Sequence, residues 1–301
     1  MVCAGFTRNL FTKSTRFANY LPCGVYQGEK LKELWENMIS SPCFYKPGIS
    51  TYVWNKLFRR NIVIGPQSRV DNRINIGEDA AVTYPALLSC ERVAVIDNAD
   101  YHYRQREDSM LKQSDDYAAE AQKLLYLYRY LDDWAGNTPA GFHIAEQVRE
   151  YILSIAVIRS GGHLPHDDFS VFDRSYYGKK VVIYSAGTFG QQLVRRFRET
   201  KHCELVAWID DDFWEYRRCC LDVDPVESVS DLNYDYILIA TVDGALGEDI
   251  KKRLTGSGVD IDKILTVSIT EEKEQLVERF LDIDKIMEER ANRKKEVMTH
   301  A

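Results

Sequence analysis

The sequence predicts an α/β protein with a parallel sheet in its second half, and three observations carry the prediction. After Gly178, β-rich runs at Lys180–Tyr184, Leu205–Asp210, Tyr236–Ala240 and Lys263–Val267 alternate with helix-like segments. Such alternation implies a parallel sheet with right-handed crossovers. A glycine-bearing turn, Ser185-Ala186-Gly187-Thr188-Phe189-Gly190, leaves the first of those strands and opens a helix. In the first half, apolar residues recur at helical spacing in short blocks broken by glycine and proline.

Size and charge set outer bounds. At 301 residues the chain suits two domains, and 45% hydrophobic residues let each bury a core. There are 39 basic and 46 acidic residues, a net charge of −7. That balance, with no basic block beyond Arg293-Lys294-Lys295, argues against nucleic acid as a partner. The seven cysteines form no C-x-x-C pair and have no histidine at zinc-site spacing. Reduced thiols in a cytoplasmic protein are therefore expected, with no metal ligands among them. No secretory leader is expected, since Met1-Val2-Cys3-Ala4-Gly5 lacks a charged start and an apolar core. No run approaches the ~18 apolar residues of a transmembrane segment.

Taken in order, Val2–Phe6 reads as a strand and 7–26 as irregular and polar. Gly28-Glu29 opens a helix with Leu31, Leu34, Trp35, Met38 and Ile39 on one face, ended by Ser40-Ser41-Pro42. Tyr52–Arg60 reads as helical, with Val53, Leu57 and Phe58 buried. Glu78–Cys90 is a further helix with the stripe Ala80, Ala81, Tyr84, Leu87, Leu88. Arg92–Ile96 is a strand and Tyr101–Arg104 is extended. Two helices follow over 114–160, separated by Asn137-Thr138-Pro139. Gly161-Gly162 and His163–Ser170 are the best boundary, which places a helical linker at 114–170. A charged helix with Leu276, Phe280, Ile283 and Met287 in one stripe closes the chain over 271–301. It would pack on the body or form a homodimer contact.

The chemistry-bearing stretch of the first half is Gly77-Glu78-Asp79. Alone, two acids in a first helical turn are a dipole or capping feature. Their flanks change the reading. Tyr52-Val53-Trp54-Asn55-Lys56-Leu57-Phe58-Arg59-Arg60, then Gly77-Glu78-Asp79, then Tyr101-His102-Tyr103-Arg104-Gln105-Arg106 and Ser109 form an ordered set. That set resembles the acceptor-side half of bacterial family 2 glycosyltransferases, over about residues 1–113. The resemblance implies a partial GT-A-like α/β region and an inverting transfer from a nucleotide-sugar to a hydroxyl of a glycan or lipid-linked acceptor, in cell-surface polysaccharide biosynthesis. Asp79 matches the expected base, and Glu78 would orient or tune it. His102, Arg104, Arg106 and Ser109 match the segment expected near the donor diphosphate, where arginine's planar fork suits the oxygens.

In that family an N-terminal half of about a hundred residues, typical of such a unit, binds the sugar nucleotide and its Mg or Mn through Asp-x-Asp. Here Asp210-Asp211-Asp212, Asp222-Val223-Asp224, Asp260-Ile261-Asp262 and Asp282-Ile283-Asp284 fit the letters but all lie beyond residue 200. The expectation is a truncated transferase that lacks the metal site and is inactive alone, or that works with a separate donor-binding chain. Its place would be cytoplasmic, or peripheral at the inner face of the membrane.

In the second half, the turn Ser185–Gly190 and Asp210, twenty residues beyond Gly190 at the end of the next strand, make the context of a dinucleotide fingerprint. Gly187 would let the backbone approach a pyrophosphate, Gly190 would allow close helix–strand packing, and Asp210 could accept from ribose hydroxyls. Ser185 stands where the first glycine belongs and is disfavoured if that position needs positive φ. This Rossmann-like unit, over 171–270, is similar to the NAD(P)-binding-like domains of polysaccharide-biosynthesis proteins. Such domains usually place a glycine where Cys219-Cys220-Leu221-Asp222-Val223-Asp224-Pro225 stands here. NAD(P) or another nucleotide is the expected ligand if the pocket is open. No Tyr-x-x-x-Lys dyad follows the third strand, which argues against a dehydrogenase. The alternative to a transferase is thus a nucleotide-binding or scaffold module acting through this unit; an inactive interaction protein is a third reading.

Overall fold

The computed structural model describes residues 1–40, 45–104, 117–137, 143–163, 170–172 and 174–268. Arg106, Ser109 and the helix expected over 271–301 lie outside the described residues. The protein is α/β throughout. Its first half contains β1 (Val2–Cys3), β2 (Phe6–Leu10), β3 (Lys13–Phe17), β4 (Gly24–Gln27), α1 (Lys30–Asn37), β5 (Lys56–Leu57), α2 (Arg60–Arg69), α3 (Glu78–Leu88), β6 (Arg92–Val95) and β7 (His102–Arg104). Helices α4 (Tyr117–Gly136) and α5 (Ile144–Ser160) follow. The second half runs β8 (Lys180–Tyr184), α6 (Thr188–Thr200), β9 (Glu204–Ile209), α7 (Phe213–Arg218), β10 (Tyr236–Ile239), α8 (Gly244–Gly256) and β11 (Ile264–Thr266).

The second half forms an all-parallel sheet in the order β11-β10-β8-β9. Its strands read as unbroken apolar runs because both faces are covered. Val181 and Ile183 join the core that holds Leu193 and Phe197 of α6, whereas Val182 and Tyr184 join the core that holds Ile250 and Leu254 of α8. Strand order reverses between β8 and β10, so the crevice at their carboxyl ends is where such sheets seat ligands.

The first half is less regular. A mixed sheet of order β4-β6-β1-β5 carries β1 parallel to β6, and a three-stranded sheet of order β3-β2-β7 stands beside it. Two expectations fail here. Residues 7–26 are not irregular: β2 and β3 form a hairpin paired from Phe6↔Phe17 to Leu10↔Lys13. Its two-residue turn, Phe11-Thr12, lacks the Asn-Gly or Asp-Gly chemistry that announces a hairpin, and Phe11 takes φ +46°. Nor is Tyr52–Arg60 helical. A turn leads into β5, Leu57 is 73% exposed, and the helix starts at Arg60. Buried polar groups fix that segment in place of an apolar stripe. Asn55 Nδ2 donates to Ala4 O (2.8 Å), and Lys56 Nζ donates to Ser50 O and Tyr52 O (2.6 Å each) and to Asn55 Oδ1 (2.9 Å).

One buried apolar cluster runs from α1 and α3 through α4 and α5 into α6. Gly161 ends α5 at φ +64°, and a Cβ there would stand 2.8 Å from Leu193 N, so α5 and α6 meet backbone to backbone. A second seam lies on the opposite flank. The hairpin tip reaches α7, where Thr12 bonds Glu215, Lys13 pairs with Asp212, and Arg218 lies 4.9 Å from the Phe11 ring centroid. Lys46 pairs with Asp243 at 2.8 Å, at the N-cap of α8.

Candidate functional site

Asp79 sits in the first turn of α3, with Glu78 exposed beside it. Gly77 starts the helix in the left-handed region, φ +72°, and a Cβ there would stand 2.5 Å from Leu127 Cδ2. The left-handed φ favours glycine there. The Asp79 carboxyl is half-buried against the Tyr52–Lys56 turn. Burial, and then Glu78, raise its pKa above the ordinary carboxylate range; Lys56 and the Val53 backbone amide pull it part of the way back. Burial pushes Lys56 itself down to about 8, against the pull of Cys3 and Asp79. Tyr151 of α5 closes the inner side, its phenol raised by burial and then by Tyr52, Asp79 and Glu78.

Beside this acid stands a stack of aromatic rings that single-residue reading did not pick out as a site. Trp54 lies against Tyr101 (centroids 4.2 Å, 22°) and Tyr52 (4.6 Å, 19°), and parallel to Tyr103 (5.5 Å, 3°). Phe6 braces it edge-on, 5.1 Å from Trp54. Such offset and edge arrangements are the favourable ones for aromatic pairs. Tyr101 is 44% exposed, so part of the stack is open to solvent. The signal in the sequence was the density of Tyr and Trp in Tyr52–Trp54 and Tyr101–Tyr103.

His102 and Arg104 are exposed on β7. Side chains alternate along a strand, and Tyr103 faces the Trp54 stack, so His102 and Arg104 lie on the other face. There His102 Nδ1 meets Asn9 Nδ2 at 3.0 Å. The structure therefore gathers Glu78, Asp79, Lys56 and the aromatic stack, and leaves His102 and Arg104 apart from them.

In the second half the turn Ser185–Gly190 has three distinct positions. Ser185 has φ +94°, a left-handed value that L residues avoid. Gly190 lies so close beneath it that a Cβ would fall 2.0 Å from Ser185 O. Gly187 is open: a Cβ there would meet only Ser185 Oγ, at 3.7 Å. The strained serine is held by Ser185 N to Ile209 O (2.9 Å) and by Trp208 Nε1 to Ser185 O (2.9 Å). Asp210, 8% exposed, accepts from Ala186 N (2.7 Å) and Asp212 N (2.8 Å). Its carboxylate is turned to the backbone and fastens the turn. Cys220 also takes positive φ, +59°, in the loop where a glycine is usual.

The turn thus leaves Gly187 open, while the Asp210 carboxylate is occupied by backbone amides. Among the described residues no three His, Cys, Asp or Glu side chains gather where they could hold a metal ion. No helix among the described residues is long and apolar enough to cross a membrane. No family model, no curated protein and no solved structure matches this chain.

Proposed function

We propose that the first half supplies the acceptor side of an inverting sugar transfer of the family 2 glycosyltransferase type, with Asp79 as the general base. The observation that carries this reading is a half-buried carboxyl of raised pKa at a helix start, next to a partly open aromatic stack. In such a transfer the acceptor oxygen forms a bond to the anomeric carbon. The bond to the nucleoside diphosphate breaks, its electron pair leaves with the phosphate, and the acceptor proton passes to the carboxylate. A base is most effective when its pKa lies towards the working pH, and burial moves Asp79 in that direction. Flat aromatic faces suit the apolar face of a sugar ring, and the exposed Tyr101 at the edge of the stack offers one.

The test is turnover of nucleotide-sugar donors onto saccharide acceptors with a separate donor-binding chain supplied, read together with saccharide-induced change in the tryptophan emission of this chain. Asp79→Asn is expected to lower turnover by about 10²–10⁴-fold, the usual reach of general-base catalysis. The emission change should persist in Asp79→Asn and vanish in Trp54→Phe. Full turnover in Asp79→Asn, or no emission change with any saccharide, would sink the reading.

A second reading rests on the turn geometry: the second half binds a nucleotide at the open side of Gly187. Closed packing at Gly190 and open space at Gly187 support it.

A further inference from the structure

The segment from Ile49 to Lys56 touches both parts of the candidate site. On one side it is fastened to α3. Thr83 lies one helical turn after Asp79 on the same face, and its Oγ1 donates to Thr51 O at 2.7 Å. Tyr84 Oη donates to Ile49 O at 3.3 Å. On the other side the segment carries Tyr52 and Trp54 into the aromatic stack, where the Trp54 and Tyr101 centroids are 4.2 Å apart.

Residues 49–55 form neither helix nor strand, so side-chain bonds must fix their course. Asn55 Nδ2 donates to Ala4 O (2.8 Å) and Ser50 Oγ (2.9 Å). Asn19 donates from Nδ2 to Ala4 O (3.1 Å) and accepts at Oδ1 from Ser50 N (2.9 Å). At the centre of this network is Lys56, 8% exposed. Its ammonium meets four protein oxygens: Ser50 O and Tyr52 O at 2.6 Å each, Asn55 Oδ1 at 2.9 Å and Ser50 Oγ at 3.2 Å. An ammonium has three donors, so all are engaged within the segment and none is left for a substrate oxygen. Two carbonyl oxygens aimed at one point repel each other unless a cation stands between them. Lys56 is that cation, and the bend it permits leads directly into Trp54.

We propose that Lys56 is the positioning residue of the candidate site. By gathering the Ser50 and Tyr52 carbonyls it sets the bend that places the Trp54–Tyr101 stack relative to the helix bearing Asp79. This rests on the acceptor-side reading for what the stack and the acid do, and adds the residue that fixes their spacing.

The test uses the full chain with Lys56→Met, which keeps the length of the side chain and removes its charge and donors. Two signals are read at a temperature where far-ultraviolet circular dichroism shows the variant folded. The first is the part of the near-ultraviolet dichroism that Trp54→Phe abolishes, which reports the stacked ring without any ligand. The second is the saccharide concentration at the midpoint of the tryptophan emission change. Lys56→Met is expected to lose most of the first and to raise the second about tenfold, within the reach of an ångström-scale misplacement. Ser50→Ala, which removes one hydroxyl of the network and keeps both carbonyls, should shift both signals the same way by less, and it decides the matter if Lys56→Met does not fold. A purely structural lysine would lower the melting temperature and leave both signals of the folded protein in place, so retention of the dichroism band overturns the proposal. Loss of the band, with no saccharide response from the unaltered chain, upholds the placing of the stack and removes the acceptor reading. A saccharide response that the variants leave unchanged keeps the acceptor reading and overturns the role of Lys56.

Discussion

The two halves store their candidate chemistry in different parts of the chain. In the first half it resides in side chains. Asp79, Lys56 and the Trp54 stack are brought together by short strands and buried polar bonds, and little about them is periodic. In the second half it resides in the backbone. Positive φ at Ser185, crowding at Gly190 and open space at Gly187 define the turn whatever the side chains are. A side-chain site is disabled by changing one functional group and a backbone site by adding a methyl, so the two halves respond to opposite kinds of substitution.

The sharpest separation comes from Asp79→Asn, which should remove about 10²–10⁴-fold of any transferase turnover without loss of stability. The sign follows from the raised pKa of Asp79. The folded state favours its neutral form, so the group's stabilising effect is complete below the unfolded value of about 4 and is lost as pH rises through the folded value. At neutral pH the asparagine variant should melt no lower than the unaltered chain, and the difference should close as pH falls below about 4. A large drop in melting temperature would make Asp79 a structural residue and break the comparison on the first side.

Next in size is Gly190→Ala. A Cβ 2.0 Å from a backbone oxygen cannot be relieved by a rotamer change, so a loss of about 3 kcal/mol is expected in urea unfolding. Retention of full stability would show that the turn is less closely packed than described. Lys56→Met should cost about 2–3 kcal/mol, because it strands the Ser50 and Tyr52 carbonyls that the ammonium now satisfies. The smallest effect has the opposite sign. Ser185→Gly removes a left-handed strain of about 1–2 kcal/mol and adds about 0.5–1 kcal/mol of chain entropy to the unfolded state. Strain relief wins, and the variant should be about 0.5–1 kcal/mol more stable. A destabilised Ser185→Gly would mean that the hydroxyl itself holds the turn.

The parallel sheet was legible because both-face burial leaves continuous apolar runs, as in Val181-Val182-Ile183, with a helix after each. The start of α3 was legible from Gly77-Glu78-Asp79. The β2–β3 hairpin was not, because Thr7, Asn9, Ser14 and Arg16 fill an outer face that looks like loop composition, and Phe11-Thr12 gives no turn signal. Tyr52–Arg60 misled for a related reason. Its apolar letters sit at helical spacing, yet the Lys56 and Asn55 bonds to backbone carbonyls decide its path. Polar burial leaves no periodic trace. His102 and Arg104, matched by resemblance to the segment expected near the donor diphosphate, lie on the face of β7 opposite Tyr103, because side chains alternate along a strand. The contact of the hairpin tip with α7 could not be read at all, since it depends on tertiary approach between residues about two hundred positions apart, such as Thr12 and Glu215.

The contact of Gly161 with Leu193 has a mechanical consequence. With 2.8 Å between a notional Cβ and the Leu193 amide nitrogen, there is no slack at the joint between α5 and α6. The hairpin flank, by contrast, is held among the described residues by side-chain attachments such as the Lys13–Asp212 and Lys46–Asp243 ion pairs. The two halves therefore meet like the boards of a book. The spine runs along α5 and α6, and the clasp is the hairpin tip with Lys46.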